Sequence, residues 1–157
     1  MKPIAVYLAI AVGAPDRAGL EARLAEARRW LGYLVEIPDT IVGRIAWSAP
    51  WVLYAQALPA DLPEYFERAS RDALVVLERC DAVVGLVRYT PWLTAQLAAG
   101  EAAGLPTINL TTAGILPPRG VTAQWWQDAP HADLITQLRG LVAAVDRRRL
   151  AAERLPS

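Results

Sequence analysis

An alternation of helical and apolar segments across residues 68–110 constrains the fold of this chain more than any other feature. The stretch reads RASRDALVVLERCDAVVGLVRYTPWLTAQLAAGEAAGLPTINL, with apolar runs at 82–87 and 107–110 and helical patterns before each run. Continuous apolar runs are typical of strands buried on both faces of a parallel sheet. Their alternation with helices predicts an α/β fold. Ligands of such sheets bind beyond the carboxyl ends of the strands, so residues 87–96 are expected near the site.

The remaining apolar runs extend this pattern to a parallel sheet of about five strands. Residues 4–12, 34–37 and 44–48 are the further strand candidates, and a helix is predicted from an N-cap at Asp16 to Gly32. The expected architecture is a single three-layer α/β/α domain over residues 1–157, flavodoxin-like or Rossmann-like. The first run is also compatible with a signal peptide, but its tyrosine and β-branched residues favour a strand.

Charge and residue usage narrow the expected partners. Sixteen basic and sixteen acidic residues cancel, so no basic field attracts a nucleic acid polymer. A small ligand or a second copy of the chain is the expected partner, and no apolar run reaches the roughly 18 residues of a membrane span. These features predict a cytoplasmic protein without a membrane partner. Cys80 is expected to be a small buried hydrophobe rather than a reactive thiol.

Metal and cofactor sites are not predicted. His131 is the single histidine, without further His or Cys ligands nearby. GxGxxG, Walker, GxSxG and CxxC motifs are all absent, which removes the main support for dinucleotide-dependent, NTPase and hydrolase functions. The Arg147-Arg148-Arg149 run lies near the end of the last helix, where a favourable interaction with the helix dipole is the simpler explanation than anion binding.

Aromatic residues are concentrated in residues 33–63. Trp47, Trp51 and Tyr54 lie there among several prolines and Gly43, which break longer elements and predict an irregular loop. These side chains either fill the core or line a pocket or subunit interface. A long loop in a compact domain is usually functional or disordered, and the apolar content of this one argues against disorder.

Asp72 lies at the border of the apolar face of its helix. A 100° step per residue places it beside Tyr65, Ala69 and Val76, at the border of the face predicted to be buried. Its carboxylate is therefore either part of a salt bridge at the edge of the helix or a group directed into a cleft.

Several segments between residues 4 and 111 resemble the nucleoside 2-deoxyribosyltransferase-like superfamily. The most specific match begins at Asp72 and continues through the Cys80-Asp81 pair into the following strand. The matching segments are Tyr7-Leu8-Ala9, Ser48-Ala49-Pro50, Arg68 or Arg71 with Asp72, Leu77-Glu78-Arg79-Cys80-Asp81-Ala82-Val83-Val84, and Gly104-Leu105-Pro106.

Three single positions and one segment depart from the pattern of this family. The segment is Ile10-Ala11-Val12, which continues the first strand where the family turns with Gly-Pro. Gln96 stands eight residues before Gly104, where the family has a glutamate that attacks the anomeric carbon of a nucleoside. Trp92 replaces the family's glycine, and Thr90 replaces its serine. A neutral amide donates and accepts hydrogen bonds but supplies no anionic oxygen for that attack.

The resemblance therefore implies three alternative functions. The first is an N-glycosidic bond enzyme, a deoxyribosyltransferase or nucleotide N-glycosidase with an atypical site and a substitute nucleophile or a water activated by Asp72. The second is a catalytically inactive protein that binds a nucleoside or nucleotide. The third is an interaction subunit whose pocket is filled by Trp92.

The resemblance also implies a set of site residues and an assembly. Homo-oligomers, dimers or tetramers, are expected because members of the family commonly assemble. The candidate catalytic residues are Asp72 and Gln96, and the candidate substrate-binding residues are Tyr7, Ser48, Trp47, Trp51, Thr90 and Trp92.

Overall fold

The part of the chain that the structure describes contains four strands and six α-helices, with one or two α-helices between successive strands. This computed structural model describes residues 2–10, 14, 16–57, 63–86, 91–110 and 124–154. The strands are β1 (Ile4–Ile10), β2 (Ile45–Ser48), β3 (Ala82–Leu86) and β4 (Thr107–Asn109). The helices are α1 (Arg17–Glu36), α2 (Asp39–Val42), α3 (Pro50–Ala57), α4 (Pro63–Glu78), α5 (Pro91–Ala102) and α6 (Ala132–Glu153).

The strands form one parallel sheet in the order β2-β1-β3-β4. This is the order of flavodoxin-like sheets, in which the chain reverses its direction across the sheet after β2. Helices cover the sheet, and the three-layer α/β/α architecture is confirmed. The described residues contain four strands rather than the expected five.

The missing strand is the one predicted at residues 34–37. Those residues belong to the last turn of α1 and the residue after it, because the helix continues through Gly32 to Glu36. Trp30 and Leu34 are both buried at helical spacing, so burial extends the helix. A Cβ at Gly32 would meet nothing within 4 Å, and a glycine inside a helix costs only about 1 kcal/mol.

Residues 33–57 are also more regular than predicted. They contain the end of α1, the short helix α2, the strand β2 and the helix α3. Pro50 is the first residue of α3, as Pro63 and Pro91 are of α4 and α5. Proline is compatible with the first turn of a helix because its missing N–H would have had no partner there. Pro50, predicted to break longer elements, therefore begins a helix instead.

The helix α5 packs closely on the sheet through a glycine. A Cβ at Gly100 would lie 2.7 Å from a methyl carbon of Val83, and one at Gly85 would lie 2.9 Å from Leu97. The side-chain positions of Val83 and Gly85 therefore face α5. Tyr7 is the register partner of Val83, so its side chain points to the same face of the sheet.

The amino edge of the sheet is closed by a polar network. The Asp81 carboxylate accepts hydrogen bonds from the backbone N–H of Ala5 and from Arg149, each at 2.8 Å. Arg149 also donates to the carbonyls of Lys2 and Pro3. This arginine, expected to act on the helix dipole, instead joins α6 to the residues that immediately precede β1 and β3. No helix in the described ranges is long and apolar enough to cross a bilayer.

Candidate functional site

Gln96 is buried between α5 and the sheet. It is 5% exposed, and it is the only amide or charged side chain that is buried among the residues whose burial the structure describes. It shares a helix face with Leu93 and Gly100, and Gly100 contacts β3, so this face is directed toward the sheet. Its Oε1 atom has no hydrogen-bond partner within the described part of the chain. A buried carbonyl oxygen of this kind is an available acceptor.

Trp92 lies one helical turn before Gln96, in the first turn of α5. Its ring centroid is 6.4 Å from that of Trp51, and the two ring planes are inclined by 57°. Trp51 is buried, whereas Trp92 is 46% exposed. Trp92 therefore does not fill an enclosed pocket, and one part of its ring remains accessible. Thr90, predicted beside it, lies outside the described residues.

Tyr7 is fully buried beside Trp51 under the helices. Burial raises the pKa of the Tyr7 hydroxyl well above its ordinary value, and the neighbouring Trp51 indole opposes part of this rise. No described residue reaches the hydroxyl with good hydrogen-bond geometry. Tyr7 thus contributes a neutral phenol to the layer that also contains Gln96.

Ser48 and Trp47 point to opposite faces of the sheet. Ser48 pairs in register with Tyr7, and Trp47 pairs with Val6. Because successive strand residues alternate between faces, Ser48 lies on the side of Tyr7 and Trp47 on the other side. The structure therefore groups Tyr7, Ser48 and Trp51 but separates Trp47 from them.

Trp47 instead lines an open groove of about 240 Å³ beside β2. The walls come from the end of α1, from α2 and from β2 itself. They include Leu34, Val35, Asp39, Val42, Ile45 and Trp47.

Asp72 forms a salt bridge at the edge of its helix. Its Oδ2 atom is 4.0 Å from the Nε of Arg68, one turn earlier, and the two side chains are 44% and 71% exposed. Of the two predicted roles, the edge salt bridge is the one that these contacts support.

Cys80 is buried, as predicted. Its Sγ donates to the Val76 carbonyl at 3.3 Å. Burial, and next the charge of Asp81, raise the pKa of the Cys80 thiol from 9.0 to about 11. The thiol is therefore protonated at neutral pH and poorly suited to nucleophilic attack.

A second aromatic cluster lies away from this site and serves the core. Trp125 is 1% exposed, and its indole donates to Glu36 at 3.2 Å. Tyr33, Trp126 and His131 pack against it edge to face. Trp125 therefore belongs to the hydrophobic core, and Tyr33 and Trp126 pack against it.

Asn109 is a candidate that the sequence interpretation missed. It ends β4, it is the register partner of Gly85, and its Oδ1 atom lies 3.5 Å from the position of a Cβ at Gly85. It is therefore at the carboxyl edge, on the face covered by α5. A polar residue at the end of an apolar strand was the available signal.

The arrangement can hold a ligand by hydrogen bonding and ring contact. Gln96 offers an acceptor and Trp92 an accessible ring, and Asn109 lies at the same edge. Within the described ranges no group of three His, Cys, Asp or Glu residues is placed to hold a metal ion. Comparison of the sequence with protein-family models finds no matching family, and comparison with curated proteins finds no match.

Proposed function

We propose that this chain binds a nucleoside or nucleotide at the carboxyl edge of its sheet without breaking the N-glycosidic bond. The observation that carries the proposal is the buried Oε1 atom of Gln96, which lacks a partner in the described part of the chain. Leaving such a group unsatisfied costs about 1–3 kcal/mol. A ligand that donates a hydrogen bond to it removes this cost.

The chemistry of the surrounding groups supports a nucleoside or nucleotide as the ligand. An amide pairs with the mixed donors and acceptors of a base edge or with a sugar hydroxyl. Trp92 provides an exposed indole on which a base can stack, a contact worth about 1–3 kcal/mol. The resemblance of the chain to the nucleoside 2-deoxyribosyltransferase-like superfamily supports the same ligand class.

Within the described part of the chain, neither of the two expected catalytic positions holds a free carboxylate, and this favours binding over catalysis. Gln96 occupies the position of the expected glutamate, and Asp72 is paired with Arg68 at the edge of its helix. Glu101 is exposed at the end of α5. A retaining mechanism needs a carboxylate within reach of the anomeric carbon. Neither Asp72 nor Glu101 is placed to act as that nucleophile.

A thermal-shift screen with purine and pyrimidine nucleosides and their 5′-monophosphates tests the proposal. A ligand present at 100 times its Kd stabilises the folded state by about 2.7 kcal/mol, and we expect one class of compound to raise the Tm. Gln96→Leu should abolish that shift, whereas Gln127→Leu, at an exposed position, should preserve it. A flat screen for the wild-type protein would overturn the proposed binding.

Chromatography of the same mixtures tests the absence of catalysis. We expect nucleosides and nucleotides to be recovered intact after incubation with the wild-type protein. Release of free base by the wild type, but not by Gln96→Leu, would instead establish the N-glycosidic enzyme. Gln96→Glu restores the carboxylate, so base release by this variant alone would show that the remaining site is intact.

A further inference from the structure

The strand β2 has an open outer edge. The Ile4 N–H donates to the Arg44 carbonyl at 2.9 Å, and Ile4 and Val6 pair in register with Ile45 and Trp47. In a parallel ladder this register directs the N–H and C=O of Ala46 toward β1. The N–H and C=O groups of Ile45 and Trp47 therefore point away from β1. No hydrogen bond reaches them from the residues that the structure describes.

Exposed apolar surface lies directly beside this edge. The side chains of Ile45 and Trp47 form one wall of the groove of about 240 Å³, and Val35 on another wall is 60% exposed. Sheet edges in native proteins are usually protected by lysine, proline or a bulge. The four residues of β2, Ile-Ala-Trp-Ser, contain no charge and no proline.

We infer that this edge binds the same edge of a second copy of the chain, antiparallel, about a two-fold axis at Ala46. In that register Ile45 lies opposite the partner's Trp47, and the two residues exchange both of their backbone hydrogen bonds. By symmetry, Trp47 and the partner's Ile45 also exchange both of their backbone hydrogen bonds. All four outward N–H groups and all four outward carbonyls of the two strands are then satisfied.

The side chains are compatible with the same register. Arg44 lies opposite the partner's Ser48, so no like charges face each other across the pair. On one face Trp47 adjoins the partner's Ile45 and covers the apolar groove. On the other face the exposed Ala46 meets its own counterpart, and its small side chain permits close approach. The contact is isologous and therefore closes as a dimer, with one eight-stranded sheet.

Cysteine cross-linking tests both the interface and its register. Two Ala46 residues form a non-hydrogen-bonded pair with Cα atoms about 4.5 Å apart, within the range that a disulfide accepts. Ala46→Cys in a Cys80→Ala background should therefore give a covalent dimer on a non-reducing gel after mild oxidation. Ile45→Cys is the matched control, because it faces the partner's Trp47 and should remain monomeric on the gel.

Mixed cross-links confirm or overturn the register independently. Arg44→Cys and Ser48→Cys should each fail to cross-link alone and should give a dimer when the two proteins are mixed. Dimers formed by Arg44→Cys alone would overturn the register. If Ala46→Cys does not cross-link and the wild type sediments as a monomer at all concentrations, the second copy is excluded as the occupant.

Charge substitutions provide a test that does not depend on disulfide formation. Ile45→Lys with Trp47→Lys places like charges opposite each other twice, and we expect sedimentation velocity to show monomers. Ile45→Lys with Trp47→Glu removes the same apolar groups but places opposite charges in those pairs, and it should retain more dimer. Equal monomer fractions in folded samples of the two variants would contradict the pairing.

Discussion

The amino-terminal and carboxyl-terminal edges of the sheet differ in the hydrogen bonding of their polar side chains. At the amino edge, Asp81 accepts from Ala5 and Arg149, and Arg149 also donates to the carbonyls of Lys2 and Pro3. At the carboxyl edge, the Oε1 atom of Gln96 is buried without a partner in the described part of the chain. The first edge uses polar side chains to fix the fold, and the second retains hydrogen-bonding capacity.

This difference separates two kinds of residue within one apparent motif. The Cys80-Asp81 pair carries much of the family resemblance, yet Cys80 is a buried thiol and Asp81 is a structural acceptor. Gln96 is the position at which the resemblance fails, and it is the residue with an unused acceptor. Of the residues expected from the resemblance, Cys80 and Asp81 therefore serve the fold, whereas Gln96 lies at the candidate site.

Asp81→Ala is expected to have the largest effect on stability. It removes the acceptor for the Ala5 N–H and leaves the half-buried Arg149 without its carboxylate, which should lower the free energy of unfolding by about 3 kcal/mol. Asp72→Ala breaks only an exposed ion pair within one helix and should cost about 0.5 kcal/mol or less. Urea denaturation measures both, and similar losses for the two variants would contradict a structural role specific to the amino edge.

Gly100→Ala should have the next largest effect on stability, because it displaces α5, the helix that carries Gln96, from the sheet. The added Cβ would lie 2.7 Å from Val83 and 3.1 Å from the Thr107 hydroxyl, so α5 must shift, at a cost of about 2 kcal/mol. Gly140→Ala, in α6, meets nothing within 4 Å and should instead stabilise the protein by up to about 1 kcal/mol. Thermal unfolding compares them, and a stabilising Gly100→Ala would show that α5 is not closely packed.

Gln96→Leu should stabilise the free protein, by about 1 kcal/mol. The substitution replaces a buried amide, whose Oε1 atom has no partner in the described part of the chain, with an apolar group of similar volume. The same change at a satisfied polar residue would destabilise the fold. A loss of stability in urea unfolding would therefore mean that Gln96 already has a partner and that the two edges do not differ as described.

The prediction without any effect at neutral pH concerns the alkaline limit of stability. The folded-state pKa of the Cys80 thiol is raised from 9.0 to about 11, so between these values the unfolded chain releases its proton while the folded chain retains it. The unfolded state then binds fewer protons, and stability should fall as the pH rises through this window. Tyr7, whose pKa is also raised by burial, acts in the same direction at higher pH. Cys80→Ala should reduce the slope between pH 9 and 11, and an unchanged slope would contradict a contribution from the thiol.

The sequence predicted the alternating α/β order and all four strands of the described sheet. The runs of β1, β3 and β4 are continuous and apolar, and the strand candidate at residues 44–48 contains β2. The sequence also predicted a fifth strand at residues 34–37, where the structure has the last turn of α1. A buried leucine such as Leu34 is compatible with either element. The alternation along β2 was sufficient to separate Trp47 from Ser48, but only once residues 44–48 are treated as a strand rather than as part of a loop.

The hydrogen bonds, ion pairs and ring contacts of the candidate site could not be predicted from the sequence. Helical spacing placed Gln96 next to the apolar face of α5, but spacing does not reveal whether another side chain satisfies the amide. The ion pair of Asp72 with Arg68 and the contact of Trp92 with Trp51 likewise depend on side-chain conformation. The role of Arg149 required a contact with Asp81, 68 residues away in the chain.

The most direct test of nucleotide binding at the carboxyl edge follows the side-chain amide of Gln96 by NMR. Protein labelled with ¹⁵N at glutamine side chains is titrated with the nucleoside 5′-monophosphate that gives the largest thermal shift. The Gln96 resonances should move and saturate with the ligand, while those of the exposed Gln127 stay constant. Saturation of binding with an unchanged Gln96 resonance would show that the ligand binds elsewhere and that the unpaired amide is not its site.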